Sequence, residues 1–142
     1  MNRNYFLLFI ALLFSCNKEN KQTNNEYKVQ AQVWTQNAAE YRALCYQAFN
    51  AAKMNLDAFF FFKNKAEKPL AIITDVDETV LDNSPYDGKL ILNKTSYNRE
   101  SWVEWGNLEE AEAIPGSLEF LQYASEKNVE IFYISNRYSE QK

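Results

Sequence analysis

Apolar and polar positions divide the chain into unlike stretches. Residues 5–14 form an unbroken apolar run behind Arg3, and residues 17–26 are wholly polar. Asn37, with Glu40 three positions later, is the capping-box arrangement, so a helix is expected to begin near Asn37. Ala38, Tyr41, Leu44, Cys45, Ala48 and Ala52 follow at helical spacing and predict one buried face. Cys45 on that stripe reads as packing rather than chemistry. Phe59, Phe60, Phe61 and Phe62 are apolar all round, which predicts burial or cover for a pocket. After Pro69, Leu70-Ala71-Ile72-Ile73-Thr74 is a short apolar run suited to a fully buried parallel strand. Residues 129–134 form a second run of this kind. Between them, Pro115-Gly116-Ser117 precedes a helix expected through Glu126, with Leu118, Leu121 and Ala124 on one side. Strand, connection, helix, strand predicts a right-handed βαβ crossover and an α/β fold. No internal repeat or long low-complexity segment is visible.

The first apolar run is too short to span a hydrocarbon core, which needs about 20 helical residues. A short apolar run behind a basic start is the pattern of a secretory signal peptide, here over residues 1–16. It ends in Leu13-Phe14-Ser15-Cys16, which resembles the lipobox of bacterial lipoproteins. That resemblance implies cleavage before Cys16 and acylation of its thiol, as by palmitate, and of its new amino group. Several acyl chains on one residue anchor stably, where a single chain is marginal. A signal anchor, or a buried apolar strand with a chance cysteine, is the alternative. Residues 17–29 are expected to be a flexible polar tether. The expected location is the bacterial cell envelope, lipid-anchored at the outer membrane, with the leaflet left open. A lipidated Cys16 would leave Cys45 without a disulfide partner.

Composition narrows the chemistry further. A length of 142 residues suits one domain, and 46% hydrophobic with 15% aromatic residues argues against disorder along most of it. A net charge of -4 gives no support for a nucleic-acid polymer as partner. The sequence contains no histidine, which excludes a Ser-His-Asp triad, a phosphohistidine and any His-ligated zinc. With cysteine only at Cys16 and Cys45, a four-cysteine metal site is also excluded. Catalysis must then run on carboxylates, hydroxyls, lysines and an oxygen-loving cation.

The first strand runs straight into Asp75-Val76-Asp77-Glu78-Thr79. Ligands of open α/β sheets bind beyond the carboxyl ends of the strands. Asp75 and Asp77, two residues apart, can face one small volume, where their repulsion would need a cation. Hard Mg²⁺ with oxygen ligands suits such a site. A carboxylate attacking phosphorus needs no histidine, and the second Asp can protonate a leaving oxygen if its neighbour's charge raises its pKa. A solvated loop or helix cap remains open at this point. A calcium loop is disfavoured, because the EF-hand pattern wants Asp or Asn where Thr79 stands and Gly where Val80 stands.

The longer string Asp75-Val76-Asp77-Glu78-Thr79-Val80-Leu81-Asp82-Asn83-Ser84-Pro85-Tyr86 closely resembles the first signature of the class C acid phosphatases. These are bacterial lipoprotein 5'-nucleotidases of the haloacid dehalogenase (HAD) superfamily. Residues 34–49 resemble the family's leading helix, and residues 113–121 and 132–137 its later segments. The resemblance covers roughly residues 30–142, and it implies a HAD-like Rossmannoid parallel sheet with a small cap insert at about 82–112. It implies Asp75 as nucleophile and Mg²⁺ ligand, and Asp77 as general acid and base whose backbone carbonyl also binds the metal. Substrate or phosphate contacts are implied for Thr79, Ser135, Asn136, Trp102 and Tyr86. Hydroxyl and N–H groups at a strand end suit phosphate oxygens, although Ser135-Asn136 by itself reads as an ordinary turn. Trp102 falls where the family stacks an aromatic on the substrate ring. Trp102 and Trp105, three apart, can also be a helix's buried stripe. Glu109, Glu110 and Glu112 read as a solvated acidic face.

The implied activity is Mg²⁺-dependent hydrolysis of phosphomonoesters such as nucleoside 5'-monophosphates through an aspartyl-phosphate, at mildly acidic pH. A lipid-anchored nucleotide binder or inactive remnant is the alternative. The family's phosphoryl-stabilising lysine and later acidic pair have no counterpart here, and only two core parallel strands are predicted. The chain is therefore expected to be a truncated N-terminal part, with weak magnesium binding and little turnover alone. The preferred phosphomonoester and the oligomeric state are not legible.

Overall fold

A computed structural model describes residues 25–62 and 69–141. The proposed signal peptide, Cys16 and most of the proposed tether lie outside the described residues. Two helices lead the chain, α1 (Glu26–Asn37) and α2 (Ala39–Phe62). The rest is β1 (Ala71–Thr74), β2 (Leu81–Asp82), α3 (Ser84–Leu92), α4 (Arg99–Leu108), β3 (Glu112–Ala113), α5 (Ser117–Glu126) and β4 (Glu130–Tyr133). β1 and β4 pair in parallel, from Ala71 with Glu130 to Thr74 with Tyr133. β2 and β3 pair antiparallel and tie the two ends of the α3–α4 insert together.

The start of α2 differs from the capping-box expectation. Asn37 ends α1 instead, and its side-chain amide donates to the Val33 carbonyl at 3.1 Å. Ala38 is the extended residue between the helices, and its carbonyl accepts from Arg42 N. Helix α1 begins at Glu26, inside the stretch expected to be a tether. A polar composition does not prevent a helix that packs on a neighbour. α1 packs on α3, and Asn25 donates to the Thr95 carbonyl beyond it.

On α2 the half-buried stripe is Tyr41, Cys45, Phe49, Ala52, Leu56 and Phe59. Leu44 and Ala48 fall outside it and are exposed. The face turned inward is set by α5, where Phe49 meets Phe120 with ring centroids 5.9 Å apart. Lys53 lies over the Tyr123 ring, whose hydroxyl donates to Asp57. The aromatic run at the end of α2 is not buried as a block: Phe61 is 78% exposed and Phe62 79%. Phe60 is also exposed. Successive residues on a helix point about 100° apart, so four in a row cannot share one inward face.

The central strands are half-covered rather than fully buried. Ile72, Thr74 and Ile131 are half-buried, while the paired Ile73 and Phe132 stand exposed on the opposite face. Helix α5 packs on β4 with Leu121 and Ala124 buried. Leu118 is exposed, and its expected inward place is taken by Ser117, which is fully buried and donates to the Val80 carbonyl at 3.1 Å. Gly116, at φ +88°, starts that helix, and a Cβ there would press on Tyr46 and Phe49. The best-buried apolar cluster lies in the insert: Tyr86, Leu90 and Trp105, with Trp102 and Ala111 against it. Among the described residues, no helix is long and apolar enough to cross a membrane.

Candidate active site

The parallel register puts the ends of β1 and β4 side by side, Thr74 beside Tyr133. The chain leaving β1 turns back at once. Val76 O accepts from Val80 and Leu81, and Glu78 takes the left-handed conformation at φ 56°. The chain leaving β4 runs along the insert. Its Glu140 pairs with Arg99 at 2.7 Å, and Gln141 Nε2 donates to the Trp102 carbonyl at 3.1 Å. That anchorage sets Ser135, Asn136 and Arg137 between the sheet and α4.

Asp77 is the hub of the arrangement. Arg137 grips its carboxylate, with Nε 3.0 and 3.1 Å from the two oxygens and a terminal nitrogen 2.6 Å from Oδ1. Asn83 donates to Oδ1 at 2.9 Å, and Ser135 Oγ reaches Oδ2 at 3.3 Å. Burial pushes the Asp77 carboxyl up, but the Arg137, Asn83 and Ser135 bonds outweigh it and hold the group below its ordinary value. The upward shift expected from a neighbouring negative charge is thus reversed, because a guanidinium occupies the place assigned to repulsion. Desolvation instead raises Glu78, with Asp77 and Asp87 adding repulsion against hydrogen bonds from Asn83. Burial also pushes Tyr41 on α2 up to about 12, helped by its Cys45 contact and the charges of Asp82 and Glu78.

The other expected residues separate into two groups. Asp75 stands at the end of β1 with an exposed carboxylate that meets no partner among the described residues. Thr79 is half-buried in the turn, where its N–H reaches Val76 O at 3.4 Å. A cleft of about 430 Å³ is lined by Asp77, Glu78, Asn83, Tyr86, Asp87, Tyr97, Trp102 and Asn136. The lining thus includes Asp77, Tyr86, Trp102 and Asn136 from the expected set, but not Asp75, Thr79 or Ser135. Tyr86 is buried, its hydroxyl 2.9 Å from Ser101 Oγ, and its ring stands edge-on to Trp102 at 5.1 Å. Trp105 is buried behind them, donating to Asn83 Oδ1 at 2.8 Å.

Among the described residues no three acidic, cysteine or histidine side chains gather closely enough to hold a metal. The Asp77 carboxylate is already neutralised by Arg137. Asn83 and Arg137 were not singled out as functional from the sequence. Both lie inside the segments that carry the family resemblance, yet neither residue type announces a contact to Asp77, six positions from Asn83 and sixty from Arg137.

The family model for the HAD superfamily, subfamily IIIB (acid phosphatase), matches residues 11–142. Two solved structures of the class C acid phosphatase from Bacillus anthracis, one of them a crystal structure with tungstate bound, are similar to this chain. Each is 42% identical with a TM-score of 0.78, covering 84% of this chain and 49% of that one. The chain thus spans about half the length of these solved relatives.

Proposed function

The chain belongs to the acid phosphatase subfamily IIIB of the HAD superfamily, with the HAD-like fold, and from that premise we propose that it supplies the nucleophile and proton-transfer residues of a phosphomonoester hydrolase. The observation that carries this reading is the Ser135 Oγ contact to Asp77, which joins the two strand ends at the mouth of the aromatic cleft. In the proposed reaction an Asp75 carboxylate oxygen attacks phosphorus in line. The phosphorus–oxygen bond to the leaving group breaks, and that oxygen takes a proton from Asp77. Water then attacks the aspartyl-phosphate while Asp77 takes back a proton, releasing phosphate and restoring Asp75.

For the first step Asp77 must carry a proton, which the Arg137 pair opposes. A phosphate dianion would compete for the guanidinium, since Arg binds phosphate as readily in two-pronged fashion as it binds carboxylate. The ring-lined cleft suits a nucleoside monophosphate, with Trp102 and Tyr86 against the base and Asn136 near the phosphate. Mg²⁺ is the proposed cation of the whole protein, to which Asp75 would contribute, offsetting phosphate charge. Lipid attachment at Cys16 and residence in the envelope belong to the same proposal, supported by the pattern of residues 1–16. The proposed cap over the site is the insert at 82–112.

The test is phosphate release from nucleoside 5'-monophosphates at mildly acidic pH, with Mg²⁺ or chelator added. The assay uses the longest form of the protein its gene encodes. Release that needs Asp75 supports the reading, and no release from any phosphomonoester refutes it. A nucleotide-binding protein without turnover is the second reading, favoured by the Arg137 grip on Asp77. Saturable nucleotide binding with no phosphate release would establish it.

A further inference from the structure

Asn83 is 2% exposed and lies between β2 and α3. Its amide has a different partner at each end. Nδ2 donates to Asp77 Oδ1 at 2.9 Å, and Oδ1 accepts from the Trp105 indole at 2.8 Å. An indole only donates and an ionised carboxylate only accepts, so just one orientation of the amide satisfies both. Trp105 therefore fixes which end of Asn83 faces Asp77. The Asn83 backbone is held as well, its carbonyl accepting from Tyr86 N at 2.9 Å and Asp87 N at 3.3 Å. Rotating a buried amide with both ends engaged would leave polar groups unpaired, which makes the link stiff.

Trp105 shares α4 with Trp102, one turn earlier. Trp102 and Tyr86 line the cleft, and the Tyr86 ring touches both tryptophans, with centroids 5.1 and 6.2 Å away. A ring seated on Trp102 thus bears on the helix whose next inward side chain holds Asn83.

We propose that Asn83 is a positioning residue: braced by Trp105, it aims the Asp77 carboxylate and couples the seating of the helical insert to that aim. The kinetic side of this inference rests on the phosphatase reading, whereas its spectroscopic side rests on the hydrogen bonds alone. Asn83 touches no reacting atom and acts through Asp77.

Trp105→Phe keeps the ring bulk and removes one donor. In the ¹⁵N-labelled 142-residue chain, the Trp105 indole signal is identified by its loss in that variant. It should shift in Asp77→Asn, while the signal of Trp34, on α1, stays in place. If the protein releases phosphate, Trp105→Phe should lower kcat about tenfold, the loss expected from one bond in a buried polar network, with KM changed less than about twofold. Asn83→Ala should lower kcat further, and the Asn83→Ala/Trp105→Phe pair should be no slower than Asn83→Ala alone, because both act on one path. A Trp105 signal blind to Asp77→Asn overturns the inference, as do losses that multiply in the double variant. Should Asn83→Ala fail to fold, Asp77→Asn still reports the link with Asn83 and Trp105 intact. If the wild type releases no phosphate, the phosphatase reading fails and the indole shift alone decides the link.

Discussion

Replacing Arg137 with glutamine takes a guanidinium away from Asp77 and leaves a largely sheltered carboxylate with two neutral partners. The side chains of the pair are 16% and 11% exposed, and the grip uses both carboxylate oxygens. Removing one partner of a fully buried pair costs about 3–5 kcal/mol, whereas a surface pair contributes at most about 1 kcal/mol. With Asn83 and Ser135 still bonded to Asp77, an intermediate loss of about 2 kcal/mol is expected. At roughly 3–4 °C per kcal/mol for a chain this long, the melting temperature at pH 7 should fall by about 6–8 °C.

The pH dependence carries the sharper test. The Asp77 carboxyl titrates below its ordinary value of 3.8 in the folded protein. A depressed carboxylate contributes stability that is present above the unfolded value and fades as pH falls through the folded one. The difference between wild type and Arg137→Gln should therefore be full at pH 7 and shrink below about pH 4. Thermal melts followed by circular dichroism from neutral to acid pH measure it. Equal melting temperatures at pH 7, or a gap that persists unchanged into strong acid, would refute the assignment of Arg137 as the group that holds Asp77 ionised.

Three other outcomes follow from particular contacts. Asp75→Asn should lower phosphate release by about 10³-fold or more yet leave the melting temperature within a degree or so, since the carboxylate is exposed and unpartnered among the described residues. A parallel loss of both would mean Asp75 is structural. Gly116→Ala should destabilise by about 1–3 kcal/mol, because φ is +88° and the new Cβ would lie 3.1 Å from the Tyr46 ring and 3.3 Å from Phe49; an unchanged denaturant midpoint would count against that geometry. The double change Phe61→Ser/Phe62→Ser should shift stability by less than about 0.5 kcal/mol and raise solubility, as both rings are mostly exposed. A large fall in the unfolding midpoint would show that they pack.

Strands β1 and β4 and the α5 crossover helix were legible because short apolar runs between Pro69, Gly116 and polar turns leave little choice of element, whereas the two-residue strands β2 and β3 carry no such run. The helical insert was legible only as a stretch of aromatic residues, and its two helices were not delimited. What the pattern could not convey was which face would be covered. Leu118 and Leu44 are as apolar as Leu121, yet they turn outward, because α5 and α2 meet through Phe49 and Phe120 and the buried Ser117 turns inward to the Val80 carbonyl. Helix α1 escaped notice because its residues are mostly polar, and it is held by α3 rather than by an apolar stripe of its own. At the site, spacing indicated that Asp75 and Asp77 follow β1, but their surroundings depend on the loop after β4. Arg137 and Asp77 lie sixty positions apart, and no local periodicity links them.

That distant arginine and the nearby asparagine act on Asp77 in different ways. Arg137 bears on its charge: it touches both oxygens and favours the ionised form, and a phosphate dianion is the natural competitor for it. In the proposed reaction, as the guanidinium turned toward phosphate, the burial that now loses to it would push the Asp77 carboxyl up, at the stage where a leaving oxygen needs a proton. Asn83 bears on direction. Its Nδ2 donates to Oδ1, and that bond survives protonation as long as the proton rides on Oδ2, the oxygen facing Ser135. One carboxylate can therefore change its charge while keeping its aim. A two-step reaction that uses the same group first as acid and then as base needs that combination.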